Sequence, residues 1–160
     1  MISTAALVWL CGCSNTPGNG RLQGSEQRDT AQQGIETAIR DWNVATNSGD
    51  VAVVMEKFDQ SDTIMLVGSD RGETFKGRQQ IEGWLTKLFK NNRFSWVFDR
   101  IEIDPYETDA AWVFLEGKMR VSDLNGRVKG ETPYRITGAL IRRDSQWKWR
   151  IWSGSIPGSE

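Results

Sequence analysis

The hydrophobic pattern of this chain changes its period near Arg93, and this change constrains the fold more than any other feature. After that residue, apolar and polar side chains alternate, as they do in strands that bury one face. The alternation predicts four strands, at 93–103, 110–122, 129–143 and 146–155. Because turn-forming residues separate them at Pro105, 123–126 and 144–145, consecutive strands are expected to pair as an antiparallel meander.

The predicted domain begins with two helices. Between 29 and 47 the apolar residues recur at intervals of three and four, which is typical of a helix with one buried stripe: Ile35, Ala38, Ile39, Trp42, and Ala45 or Thr46. Gly49 predicts the end of this helix, and Asp50 is placed to cap a second one. The stripe of the second helix is Val51, Val54, Met55 and Phe58. The two should form a helical hairpin.

A short strand and a third helix complete the predicted order. The β-branched and apolar run 63–67 indicates a buried strand, and a turn-rich patch follows it. Gly77 then opens a helix whose apolar stripe is Ile81, Trp84, Leu85, Leu88 and Phe89. Helices that precede a long antiparallel run predict an α+β fold in one domain.

Composition excludes several classes of function. The 20 basic and 21 acidic residues nearly balance, so nothing favours nucleic acid as a partner. Histidine is absent, and the two cysteines are Cys11 and Cys13, outside the predicted domain. The commonest metal ligands and nucleophile arrangements are therefore missing, and we expect neither a metal nor a cofactor. The eight tryptophans must fill a core, line a pocket or cover an interface.

The first residues resemble a bacterial lipoprotein signal. The apolar run 2–10 is shorter than the roughly 20 residues of a membrane-spanning helix, and Cys13 stands where a lipobox carries its lipidated cysteine. This interpretation divides the chain into a signal-like segment at 1–13, a flexible tether at 14–28, the domain at 29–157 and a tail at 158–160. It predicts an anchored protein of the bacterial cell envelope. No basic residue precedes the apolar run, so the alternative is a nonfunctional signal and a soluble cytoplasmic protein.

The predicted strand 110–122 has two unlike faces. One face is entirely apolar and should look inward: Ala111, Val113, Leu115, Gly117, Met119 and Val121. The other carries Trp112 and Phe114, and Trp152 is expected to join it from the last strand. Monomers seldom leave such aromatics uncovered. We therefore expect these three residues to form the interface of a homodimer.

The last two strands carry polar groups on faces that alternation marks as apolar. Arg135 and Thr137 share a face with Ala139 and Ile141, and Ser153 shares one with Trp149. A buried arginine needs a partner, so Arg135 is expected to meet a carboxylate inside the fold or to contact an anionic or carbonyl-bearing ligand. The alternative is an ion pair with a purely structural role.

Two segments resemble signatures of the SnoaL-like branch of the nuclear transport factor 2-like superfamily. The first matches at Gly68, Ser69, Asp70, Glu73, Phe75 and Gly77, and the second at Arg135, Thr137, Trp147 and Ser155. The resemblance covers about 30–157. It implies a cone-shaped antiparallel sheet wrapped around three N-terminal helices, with a pocket at the open end. Many relatives have a histidine where this chain has Ser153, so their acid–base chemistry does not transfer directly.

Three functions are compatible with these patterns. The first is a membrane-tethered module that binds a small apolar or amphipathic ligand through Trp42, Phe58, Trp84, Trp96, Arg135, Thr137, Trp149 and Ser153, although the same rings could simply fill the core. The second is an isomerase, cyclase or dehydratase in which a pocket carboxylate moves a proton, with Asp59, Asp70, Glu73 and Asp99 as candidates and Tyr134 as an alternative donor. The third is an assembly domain that acts through its outer face.

Overall fold

A computed structural model describes residues 24–158 of the chain. It contains three helices and six strands within that range, and their order begins as predicted. The elements are α1 (Ser25–Ser48), α2 (Val51–Met55), β1 (Met65–Val67), β2 (Thr74–Lys76), α3 (Arg78–Leu88), β3 (Arg93–Pro105), β4 (Ala110–Ser122), β5 (Val128–Arg143) and β6 (Gln146–Ser155). The pattern missed β2, because three residues within a turn-rich patch are too few to show a period.

The helical hairpin forms for the predicted reasons. Gly49 ends α1 with a φ of 70°, a left-handed conformation that glycine adopts without strain. The Asp50 side chain caps α2 by accepting hydrogen bonds from the amides of Ala52 and Val53. Helix α1 begins at Ser25, so its first turn occupies the end of the segment predicted as a tether.

The six strands form one sheet in the order β2-β1-β6-β5-β4-β3. Strands β3 to β6 pair as the predicted antiparallel meander, and β1 adds to β6 in parallel. The edge strands β2 and β3 do not pair with each other, so the sheet curves without closing. Helix α1 packs against β3 and β6, which places the hydrophobic core between the helices and the concave face of the sheet. The expected α+β cone is confirmed.

The inner face of β4 is the predicted one. Val113 and Leu115 are buried in the core, whereas Trp112 is 59% exposed. Gly117 sits where β3 carries an extra residue, Asp99, and a Cβ there would collide with the backbone of Val97. Strand β4 therefore fixes which side of the sheet encloses the core.

The face assigned to β5 was wrong. Tyr134, Ile136, Gly138 and Leu140 look inward, whereas Arg135, Thr137, Ala139 and Ile141 look outward. Two of the outward residues are apolar, and the pattern therefore did not separate the faces. Arg135 donates to Glu116 at 2.7 Å on the outer surface, where both side chains are partly solvated. The structural ion pair was the correct alternative, although it lies on the outer face.

The face assigned to the end of β6 was also wrong. Leu140 pairs with Trp149 and Ala139 pairs with Ile151, so Arg150 is an extra residue that forms a β-bulge. A bulge shifts the alternation by one. Consequently Trp152 points inward and is only 4% exposed, whereas Ser153 lies on the outer face between Thr137 and Val67. Trp152 cannot belong to an outer interface.

Candidate functional site

A cavity of about 240 Å³ lies between the helices and the concave face of the sheet. Helices α1 to α3, the turn before β2 and the inner faces of β1 and of β3 to β6 supply its walls. Its aromatic lining is Trp42, Phe58, Trp84, Phe94, Trp96, Tyr134 and Trp152, and its aliphatic lining includes Val54, Leu66, Leu85, Leu88, Met119 and Ile156. The polar groups are few, as is typical of small-molecule sites.

The floor of the cavity is a cluster of indole rings around Trp42. Its ring centroid lies 4.7 Å from that of Trp96, 5.8 Å from that of Trp152 and 5.6 Å from that of Trp149. Within residues 24–158, no hydrogen-bond acceptor meets the buried indole N–H groups of Trp96, Trp149 and Trp152. Neighbouring ring faces are the weak acceptors that such a cluster offers. The floor is therefore made of packed aromatic rings.

The turn between β1 and β2 places two carboxylates at the mouth. Glu73 folds back over the turn, where one carboxylate oxygen accepts from the amide of Asp70 at 3.1 Å and the other from Trp84 Nε1 at 3.3 Å. A Cβ on Gly68 would overlap the Glu73 side chain, so this position needs glycine. The family-like segment thus holds Glu73 in place and leaves Asp70 exposed beside it.

Tyr134 brings a hydroxyl to the same wall. Burial raises the pKa of its phenol, the negative charges of Glu73 and Asp70 raise it further, and a hydrogen bond with Ser69 opposes them. The phenol therefore stays protonated well above neutral pH and can donate to a ligand. Gly154 leaves room for this hydroxyl, because a Cβ there would overlap it.

The structure brings together only some of the predicted site residues. Trp42, Phe58, Trp84, Trp96, Asp70 and Glu73 line the cavity. Trp149 is fully buried behind Trp42 and belongs to the core. Arg135, Thr137 and Ser153 lie on the outer face, so Arg135 meets no carboxylate inside the fold and lines no part of the cavity.

The other two acidic candidates lie away from the cavity. Asp59 is buried, and its carboxylate accepts from Arg150 at 2.6 Å and lies 3.7 Å from Arg143. This contact ties the segment after α2 to the bulge of β6. Asp99 is the exposed extra residue of β3. Neither carboxylate is placed to act on a molecule in the cavity.

Several cavity residues escaped the sequence analysis. Ser69, Thr46, Met119 and Trp152 were not assigned to the site, and Tyr134 was considered only as a proton donor. The spacing of Tyr134, Ile136, Gly138 and Leu140 was a usable signal, because these alternate residues include no charged group. Trp152 offered no such signal, because its orientation depends on the bulge.

Residues 24–158 contain no group of three His, Cys, Asp or Glu side chains able to hold a metal ion. No helix in the same range has the length and apolar character needed to cross a membrane. Cys13, the predicted lipidation site, lies outside the described residues.

Comparison with known proteins gives one family and many structural neighbours. The model of the SnoaL-like domain matches residues 35–159. A candidate dehydratase of the nuclear transport factor 2-like family from Streptomyces avermitilis superposes with a TM-score of 0.71 at 14% identity, covering 82% of this chain and 99% of the other. A candidate scytalone dehydratase from Novosphingobium aromaticivorans gives 0.71 at 13% identity, covering 86% and 94%.

A nuclear transport factor 2-like superfamily protein from Salmonella enterica superposes with a TM-score of 0.70 at 16% identity, covering 82% of this chain and 94% of the other. No match was found among the curated proteins. At these identities the neighbours show a common fold and do not transfer an activity.

Proposed function

We propose that the cavity of this chain, which belongs to the SnoaL-like domain family, binds a small and mostly apolar molecule. One observation carries the proposal: a cavity lined by seven aromatic residues has a volume of about 240 Å³ that side chains leave unfilled. That volume corresponds to roughly eight waters at about 30 Å³ each. Transferring apolar ligand surface from water into such a pocket is favourable by about 25 cal/mol per Å².

The polar groups would orient the ligand. The Tyr134 hydroxyl can donate a hydrogen bond from one wall, and the carboxylates of Asp70 and Glu73 can accept at the mouth. The apolar body of the ligand would then lie against Trp42, Trp96 and Trp152. This arrangement, an apolar floor with a few convergent polar groups, is common in small-molecule sites.

Filling the cavity should abolish binding. Leu88 lines it from the end of α3 and is partly buried, so Leu88→Trp would place an indole where the ligand lies. We expect at least a 100-fold weaker affinity for any ligand that co-purifies with the wild type or is found by thermal-shift screening, measured by isothermal titration calorimetry. Leu124→Trp is the matched control, because Leu124 is 56% exposed in the β4–β5 turn, away from the cavity.

Two outcomes would contradict the proposal. One is wild-type affinity in Leu88→Trp when circular dichroism shows that both variants are folded. The other is a wild-type cavity that takes up no apolar probe at millimolar concentration. The first would place the ligand elsewhere, and the second would remove the binding function.

Proton transfer at a bound ketone is a second candidate function, favoured by the position of the protonated Tyr134 beside two carboxylates. Glu73 would take a proton from the carbon next to the carbonyl, Tyr134 would donate a hydrogen bond to the developing oxyanion, and the same proton would return at the γ-carbon. The reaction converts a β,γ-unsaturated ketone into its conjugated isomer, with no atom gained or lost. General acid–base catalysis contributes about 10²–10⁴-fold.

Cyclohex-3-enone is a suitable probe, since the conjugated product absorbs in the ultraviolet. We expect Glu73→Gln to slow its isomerisation by at least about 100-fold. Glu82→Gln, which removes an exposed carboxylate from α3, should keep the wild-type rate. Equal rates in wild type and Glu73→Gln would eliminate Glu73 as the base.

A lipid anchor at Cys13 remains our proposal for the localisation of this protein. Support comes from the short apolar run before it and from the small residue Gly12 that precedes the cysteine. Lipid chains on Cys13 would hold the domain at the cell envelope through the intervening residues. Intact-mass analysis of protein from the membrane fraction tests this idea, and a soluble product that retains Met1 would contradict it.

The outer face of the sheet is our proposed homodimer interface, with Ile151 in the place expected for Trp152. The strand register aligns Met65, Ile151, Ala139 and Trp112 in one row across four strands. The next row contains Val67, Ser153, Thr137 and Phe114. An apolar band with exposed aromatic residues is characteristic of the buried centre of protein interfaces.

A further inference from the structure

We propose that the molecule held in the cavity is an organic cation, such as a quaternary or protonated amine with an apolar body. This inference rests on the proposed binding function and names the class of its ligand. It is carried by two features of the same cavity. Its ionisable lining side chains, within residues 24–158, are acidic or phenolic, and seven of its lining residues are aromatic.

The charges around the cavity have one sign. Asp70 and Glu73 line it, and no lysine or arginine of the described chain does. The nearby arginines are occupied elsewhere: Arg150 pairs with Asp59, Arg135 pairs with Glu116, and Arg78 donates to the backbone carbonyls of Met55 and Asp59. Arg71 belongs to the same turn, but within residues 24–158 it forms no salt bridge and its side chain does not line the cavity.

The aromatic lining suits a cation as well as an apolar molecule. Ring faces carry a negative quadrupole and attract a cation that lies within about 6 Å of their centroids. Trp42, Trp96 and Trp152 form three sides of the floor, with centroids 4.7 to 6.4 Å apart, and Tyr134 lies 6.1 Å from Trp96. At these distances the rings pack against one another, so a cation would lie on the surface that they present to the cavity, with the carboxylates at the entrance.

The electrostatic environment of Tyr134 agrees with this assignment. The negative charges of Glu73 and Asp70 raise the pKa of its phenol, so the potential at this wall is already negative. An anionic ligand would meet the same repulsion, whereas a cation would be attracted. A neutral ligand would be stabilised by apolar contacts and hydrogen bonds, without a contribution from net charge.

A pair of nearly isosteric probes isolates the charge. The trimethylammonium group of (4-hydroxyphenyl)trimethylammonium and the tert-butyl group of 4-tert-butylphenol have nearly the same shape, and 4-tert-butylbenzoate supplies the opposite charge. We expect calorimetry at low salt to show the cation binding at least about tenfold more tightly than the neutral phenol, and the benzoate binding most weakly.

A charge-neutral variant identifies the source of the preference. Asp70→Asn/Glu73→Gln removes both charges, and its glutamine side chain keeps an acceptor oxygen for the backbone amide at position 70 or for Trp84 Nε1. We expect it to lose most of the preference for the cation, measured as the ratio of the dissociation constants of 4-tert-butylphenol and the cation. In the wild type, raising the salt concentration should weaken binding of the cation more than binding of the phenol. The carboxylates lie near solvent, where salt screens their charge.

The outcomes separate this inference from the proposed function. Binding of the neutral phenol with equal or greater affinity than the cation would overturn the cation assignment and leave the binding function standing. Failure of every probe and every apolar compound to bind would overturn both. A preference for the cation that persists unchanged in the double variant would also overturn the assignment of the carboxylates.

Discussion

Replacing Trp149 by Ala should lower the free energy of unfolding by about 3–5 kcal/mol, the usual cost of truncating a buried aromatic residue. Trp149 is fully buried, its ring lies 5.6 Å from Trp42, and it packs against the space that Gly138 leaves open. The loss would leave a void between α1 and the sheet. Urea unfolding followed by circular dichroism measures the effect without depending on tryptophan fluorescence.

Tyr106→Ala is the control for this measurement. Tyr106 is also aromatic, but it is 57% exposed in the β3–β4 turn, so its truncation should change the free energy of unfolding by no more than about 0.5 kcal/mol. If Trp149→Ala lowered the free energy of unfolding as little as Tyr106→Ala, Trp149 would not lie at the centre of the hydrophobic core. Its position behind Trp42 would then be wrong.

The sequence predicted the fold well where the two faces of an element differ. Strand β4 has an uninterrupted apolar face from Ala111 to Val121, and that face is the inner one. The stripe of α1 and the cap at Asp50 are equally clear, because each depends on neighbouring residues alone. The family resemblance added the open cone, which local patterns do not determine.

The pattern failed where both faces of a strand are apolar or where the alternation shifts. In β5, the apolar residues Ala139 and Ile141 look outward, and Leu140 looks inward. In β6, the extra residue Arg150 turns Trp152 inward. Nothing in the local sequence indicates the bulge, because the partner of the Arg150 side chain is Asp59, which lies 91 residues earlier in the chain.

Both face errors carried over into the prediction of the candidate site. Arg135 and Ser153 were assigned to the interior from strand phases that proved wrong, whereas the helical residues Trp42 and Trp84 line the cavity. Asp59 and Glu73 are both acidic residues near the start of the sheet. Only long-range contacts distinguish the structural carboxylate of Asp59 from Glu73 at the cavity mouth.

Trp112→Lys should separate the two copies of the proposed dimer. Trp112 is 59% exposed in the apolar row of the outer face, and an aromatic residue at such a position often contributes about 2 kcal/mol or more to binding. We therefore expect the dimer dissociation constant, measured by sedimentation equilibrium, to rise at least about 30-fold. A buried lysine without a partner across the interface would increase the loss.

Lysine is chosen because it leaves the single chain intact. Position 112 pairs across the sheet with Asp104, so a lysine there gains an opposite charge on the neighbouring strand, whereas a glutamate would face a like charge. Leu124→Lys adds the same charge at an exposed apolar position at the other end of β4 and should leave the dimer unchanged. Equal dissociation constants for the wild type and both variants would show that the outer face is not the contact. If both variants weakened the dimer equally, the effect would come from net charge, and the apolar row would lose its role.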